Sequence, residues 1–295
     1  MKIKKLWPSV LLLAALNVQG ADLLKPFVLA SRGAGTVAEK AEQAKAALSA
    51  AEFTVVGNYS PYADAQILIV TSDELKKNAA ASEHGGFGAG QRIAVTKVKD
   101  EVQVSYTQPL YMANVYRMKG DLSGTAKALE AALGKLEDYG AKGMSAAQAR
   151  KYHYTIGMEY FDEPSELADF GSYEEALKAV EAGLSTNKSG VSKVYRIDLP
   201  GKQESVFGVA MKGSGDSKAM DDRFLMSEID FREIRSTAHL PYEILVSAGK
   251  VYALYARFRI AINFPDLSMM GANSFMNIMA APEAIRSALQ KAVQK

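Results

Sequence analysis

The stretch from His239 to Met279 constrains the fold more than any other, because its pattern is written twice. Two apolar runs, Tyr242–Val246 and Val251–Ile262, flank Ala248-Gly249. Runs of this kind on either side of a short turn predict a β-hairpin. A loop opened by Pro265 and a methionine-rich segment follow. Upstream, Arg92–Val98, a Lys99-Asp100 turn and Val102–Tyr106 repeat the hairpin, and Pro109 with Met112 to Met118 repeats its sequel. The echo predicts a duplicated architecture.

The rest of the chain fits that frame. The first half runs as a strand (Phe27–Ser31), a turn (Arg32–Gly35), and a helix to about Ala50 opened by the capping-box spacing Thr36…Glu39. Strands Phe53–Tyr59 and Gln66–Thr71, a helix Glu74–Ala81, a glycine-rich loop from His84 to Gly90, the hairpin and a closing helix Leu122–Leu136 follow. The second half restarts with a strand at Met158–Phe161 and a helix capped by Ser172…Glu175. Strands Val191–Leu199 and Gln203–Met211 flank the turn Pro200-Gly201; a weak helix Asp221–Asp230, the hairpin, the methionine segment and a final helix Glu283–Val293 complete it. The spacing of the closing helices predicts an insertion of roughly twenty residues in the second copy, around Gly213–Thr237. The expectation is an α+β fold of two similar domains, each an antiparallel sheet with helices on one face. They would span 21–136 and 158–295, be joined by a connector over 137–157, and pair with each other about a pseudo-two-fold axis.

The first twenty residues read as an export signal. Lys2, Lys4 and Lys5 precede an apolar run, Leu6 to Leu16, that is too short to span a bilayer. Val18-Gln19-Gly20 predicts cleavage near Gly20-Ala21, and a periplasmic or secreted product. The chain has 35 Lys+Arg and 33 Asp+Glu. Without the three leader lysines the balance is 32 − 33 = −1, so no nucleic-acid footprint is expected. No later run approaches the ~18 apolar residues of a membrane span, so no stable membrane insertion is expected. The absence of cysteine excludes thiol catalysis, Cys-ligated zinc or iron–sulfur, and haem attached through Cys-x-x-Cys-His.

Two constellations are candidates for chemistry. If Val251–Ile262 is one strand, its odd face presents Tyr255, Arg257, Arg259 and Asn263; with Tyr242, these would bind a carboxylate or other anion through paired guanidiniums. The simpler alternative is ion pairing with Glu228, Asp230 or Glu233. The second constellation is Met269, Met270, Met276 and Met279, with Met112 and Met118 at the matching place in the first half. Thioethers suit Cu(I) or an axial haem position, and His239 is the best-placed nitrogen ligand beside Met269 or Met270. The simpler alternative is that these methionines fill gaps between domains, among Phe264, Leu267, Phe275 and Ile278. Gly33-Ala34-Gly35 lacks the third glycine and the lysine of a phosphate loop. Ser274 has no nucleophile-elbow context.

The run Leu240-Pro241-Tyr242-Glu243-Ile244-Leu245-Val246, a turn, Lys250-Val251 and a second apolar strand leading to Pro265 resembles the domain of unknown function 302 family. The first half is similar through Arg92-Ile93-Ala94-Val95, Val102–Tyr106 and Pro109, with Ala89-Gly90 in place of Leu-Pro. The resemblance spans residues 25–136 and 158–293. It implies a small α+β domain that pairs with a copy of itself, and it transfers no catalytic residue. The functional expectation is therefore a non-enzymatic exported binding or interaction protein, its site near the domain interface and its cofactor unassigned. The alternative is a copper- or haem-handling protein.

Overall fold

The computed structural model describes residues 23–155 and 157–294; the expected export signal and its expected cleavage near Gly20-Ala21 lie outside them. The first half is built from β1 (Phe27–Gly33), α1 (Val37–Ala50), β2 (Thr54–Tyr59), β3 (Ala65–Thr71), α2 (Asp73–Ala80), β4 (Gln91–Val98), β5 (Glu101–Thr107), α3 (Pro109–Val115) and α4 (Ser123–Leu133). A short strand β6 (Glu137–Tyr139) and helix α5 (Ala146–Arg150) come next. The second half has β7 (Ser165–Asp169), α6 (Tyr173–Ser185), β8 (Val191–Asp198), β9 (Glu204–Met211), α7 (Asp222–Ile229), β10 (Tyr242–Ser247), β11 (Lys250–Ala253), α8 (Ala256–Asn263) and α9 (Ala281–Val293).

Two antiparallel sheets result, in the orders β2-β3-β4-β5-β1-β6 and β7-β11-β10-β9-β8. Matched by position in each half, the strand order is the same, with β6 as an extra edge on the first sheet. Even the irregularities agree. A bulge falls between Val55 and Gly57 in β2 and between Lys193 and Tyr195 in β8, and these two edge strands meet in the folded chain. A Cβ on Gly57 would stand 2.9 Å from Cβ of Tyr195. The architecture is α+β, as the sequence predicts.

Local sequence explains the elements. The Thr36 hydroxyl accepts the Glu39 N–H at 3.2 Å and the Glu39 carboxylate accepts the Thr36 N–H at 2.9 Å, which fixes the start of α1. In α6 the box is only half made: Ser172 takes the Glu175 N–H, but the Glu175 carboxylate reaches the Gly171 N–H instead. Helices α1 and α4 cover one face of the first sheet, and α6 and α9 the matching face of the second. The close approach of α6 to α9 depends on Gly183, where a Cβ would sit 1.7 Å from the carbonyl oxygen of Ala292.

The central strands are buried on both faces, β9 along its whole length. Each sheet needs a second cover, and a segment of the other half supplies part of it. The 3-10 turn Gly85–Gly88, just before β4, lies on β9 and β10; the 3-10 turn Thr237–His239, just before β10, lies on β3, β4 and β5. The Gly86 N–H donates to Glu204 Oε1 at 2.8 Å, and the Thr96 and Thr237 hydroxyls are 2.9 Å apart.

Several expectations need correction. Val251–Ile262 is not one strand: β11 stops at Ala253 and the chain turns into helix α8. The first strand of the second half is Ser165–Asp169, not Met158–Phe161. The inserted length is divided. Residues 212–241 join β9 to β10 where 72–90 join β3 to β4, 30 against 19; residues 264–280 join α8 to α9 where 116–122 join α3 to α4, 17 against 7. The counterpart of α3 is thus α8, and the methionine loop is an addition to the second half. Glu137–Tyr139, read as the start of the connector, pairs with β1.

Candidate functional site

Helix α8 decides the fate of the arginine pair. On a strand Arg257 and Arg259 would share a face; on a helix, residues two apart point in nearly opposite directions. Arg259 turns inward and is 1% exposed. Its Nη1 donates to Glu243 Oε2 at 2.6 Å and to the Tyr116 hydroxyl at 2.9 Å, and its Nη2 to the carbonyls of His239 (2.7 Å) and Pro241 (3.2 Å). Arg92, from β4 of the other half, donates from Nη1 to Glu243 Oε1 and to the His239 carbonyl, both at 3.2 Å. One buried carboxylate therefore serves two guanidiniums across the seam. Arg257 faces outward instead, forming a bidentate pair with Glu159 and standing 5.2 Å from the Tyr255 ring centroid. Its hydrogen bonds hold the Glu159 carboxyl below the ordinary value. The partners are Glu159 and Glu243, neither of which the spacing suggested.

Tyr242 and Asn263 join the buried side. The Tyr242 hydroxyl lies 3.0 Å from His239 Nε2, and its ring centroid is 5.5 Å from the Arg259 guanidinium carbon. Asn263 is fully buried beside the His239 ring. The five residues expected to line an anion site thus divide. Tyr242, Arg259 and Asn263 belong to a closed interior cluster, while Tyr255 and Arg257 lie toward the surface.

His239 does not sit with the methionines. It is fully buried, edge-on to Tyr242 and Phe264, and burial beside Arg259 and Arg92 pushes its pKa well below the ordinary imidazole value. A neutral imidazole is what such a place demands. Met269, Met270, Met276 and Met279 are 48%, 76%, 51% and 62% exposed. They do not fill gaps between domains, whereas Met112 and Met118, in the first half, are buried. Among the described residues no group of three or more His, Asp or Glu side chains is placed to hold a metal ion.

An open concavity lies elsewhere on the seam. A cleft of about 360 Å³ is lined by Tyr62, Asp64, Thr96 and Lys97 from the first half and by Arg223, Met226, Ser227, Asp230 and Arg235 from the second. Its volume is in the range of small-molecule sites. Lys97 and Arg223 are exposed and have no ion-pair partner among the described residues. Arg235 donates to the main-chain oxygen of Asp230. The Asp230 carboxylate accepts the Ser236 N–H at 2.8 Å and the Thr237 hydroxyl at 3.3 Å, yet burial outweighs these bonds and pushes its pKa up to about 6.

No family model, curated protein or solved structure matches this chain. The site therefore rests on its own geometry. Behind the cleft, α7 carries a second buried acid, Asp222. Its Oδ2 accepts the Tyr59 hydroxyl at 2.6 Å and the Met211 N–H at 2.8 Å, its Oδ1 has no partner, and burial pushes its pKa up to about 7. Sequence reasoning missed this surface because its cations and acids come from segments more than a hundred residues apart. Adjacent acids such as Asp221-Asp222 carry no spacing signal of their own; the apolar Phe224-Leu225-Met226 that follows is the signal that Asp222 turns inward.

Proposed function

We propose that this chain is an exported binding protein that takes a small anion, a carboxylate or phosphate, in the cleft between its halves. We further propose that the halves are copies of one ancestral unit, pairing about an approximate two-fold axis, as the resemblance to the domain of unknown function 302 family implies. The cleft charge carries the functional reading: Lys97, Arg223 and Arg235 face Asp64 and Asp230, and two of the cations are unpaired. Guanidinium and ammonium groups converging from two bodies bind oxyanions well. Shared strand order, matching bulges and the exchanged 3-10 turns support the duplication. Export rests on the leader sequence; among the described residues no helix is long and apolar enough to cross a membrane.

The test is a thermal-shift panel of citrate, malonate, phosphate and sulfate on the purified protein. A ligand at a hundredfold excess over its Kd stabilises by about 2.7 kcal/mol. The shift is expected to grow as pH falls from 7 to 5, because Asp230 takes up a proton with a pKa of about 6. Lys97→Ala with Arg223→Ala is expected to remove it, and Arg257→Ala, outside the cleft, to leave it intact. A response to no anion, or one that survives the double substitution, refutes the reading.

A further inference from the structure

The loop between α8 and α9 sorts its apolar side chains by chemistry. Ile278 is buried, and Phe275 turns toward Tyr154, their ring centroids 6.2 Å apart. The four methionines of the same loop point outward, and they are four of only seven large hydrophobic residues exposed among the described residues. Of the other described methionines, Met112, Met118, Met211, Met220 and Met226 are buried and Met144 and Met158 half-buried, so strongly exposed methionine is confined to this loop. The large apolar side chains that the loop exposes are all thioethers, soft and polarizable groups.

The backbone brings three of them together. The Met276 N–H donates to the Met269 carbonyl at 3.2 Å, and the Met279 N–H to the Met276 carbonyl at 3.4 Å. Met276 and Met279 are three apart across the 3-10 turn Phe275–Ile278, and in that helix side chains three apart eclipse. The loop is fastened by Phe275 N–H to the Ser268 carbonyl, by the Ser274 hydroxyl to the Gly271 carbonyl, and by Asn277 to Glu228. The Tyr154 hydroxyl bonds the Met269 sulfur. Neutral, polarizable thioethers without carboxylates select a soft, low-charge cation over a hard one.

We propose that this loop is a binding site for a soft monovalent cation of the Cu(I) class, with Met269, Met276 and Met279 as thioether ligands and Met270 as a fourth on the same loop. The site is separate from the anion cleft and does not rest on it. The probe is Ag(I), which carries the same charge and softness and needs no reductant. Protein labelled with 13C at the methionine methyls is titrated with silver nitrate in chloride-free buffer and followed by NMR, with signals assigned by single Met→Leu variants. The Met269, Met276 and Met279 methyls are expected to move together and saturate at one Ag(I) per chain. Met112 and Met118 should stay still, and Zn(II) should move none. The triple variant M269L/M276L/M279L is expected to lose the binding while keeping a cooperative melt, because these side chains lie outside the core and only the Tyr154–Met269 hydrogen bond is removed. Methyls that do not move, that move equally with Zn(II), or a triple variant that binds Ag(I) as the wild type does, overturns the proposal.

Discussion

Asp222→Asn should change how stability depends on pH, and the size of the change follows from where Asp222 sits. In the unfolded chain its carboxyl has a pKa of 3.8; in the fold, burial raises it to about 7. Below 3.8 both states are protonated and the group is neutral to stability. Between 3.8 and about 7 the unfolded state has lost the proton that the folded state keeps, so stability falls as pH rises, by about 1.36 kcal/mol per pH unit. The full fall is roughly 4 kcal/mol, of which roughly 3 lies between pH 5 and 7. Asp230, raised to about 6, acts in the same direction, whereas His239, lowered by burial, acts in the opposite one. Both remain in the variant, so the difference between the proteins isolates Asp222. The amide keeps an oxygen for the Tyr59 hydroxyl and the Met211 N–H and cannot ionise. Urea unfolding by far-UV circular dichroism at half-unit steps from pH 5 to 8 measures it, since the single tryptophan, Trp7, lies outside the described residues. Asp222→Asn should gain on the wild type steadily up to pH 7 and hold its advantage above that. Stability curves that run parallel across the range would refute the placement of this carboxyl.

Two other outcomes follow from contacts already described. Glu243→Gln leaves two buried guanidiniums sharing a neutral acceptor, and should cost about 3–5 kcal/mol in chemical denaturation; a loss below about 1 kcal/mol would mean that the pair is solvated after all. Gly183→Ala forces a methyl against the Ala292 carbonyl, and should destabilise by about 1–3 kcal/mol through separation of α6 from α9, read as a lowered midpoint with an unchanged urea slope.

Much of the fold was legible because local chemistry and burial agree. The capping residues Thr36 and Ser172 and the turns at Lys99-Asp100, Pro200-Gly201 and Ala248-Gly249 all stand where the sequence puts them. Val251–Ile262 misled because α8 is buried nearly all round, at Ala256 and from Phe258 to Asn263. A helix hidden on every side shows no 3.6-residue period, and its apolar run imitates a strand. The anion residues went astray with it, since a period-two face placed Arg257 beside Arg259. The cleft was illegible for a different reason. Lys97 and Arg223 are ordinary surface cations in sequence, and only the folded chain brings them to the lining of one cleft. The methionines looked interior because Phe275 and Ile278 stand among them, and spacing does not tell which apolar residue of a loop turns inward.

The exchanged turns ahead of β4 and β10 make each half the roof of the other's sheet. Glu204 in β9 finds its N–H partner in Gly86, 118 positions earlier, and Thr96 finds its hydroxyl partner in Thr237. Drift in either turn is therefore registered in the opposite body, and the two must change in step. The two bodies are thereby mutually obligatory, and neither portion is free to be discarded or to wander alone.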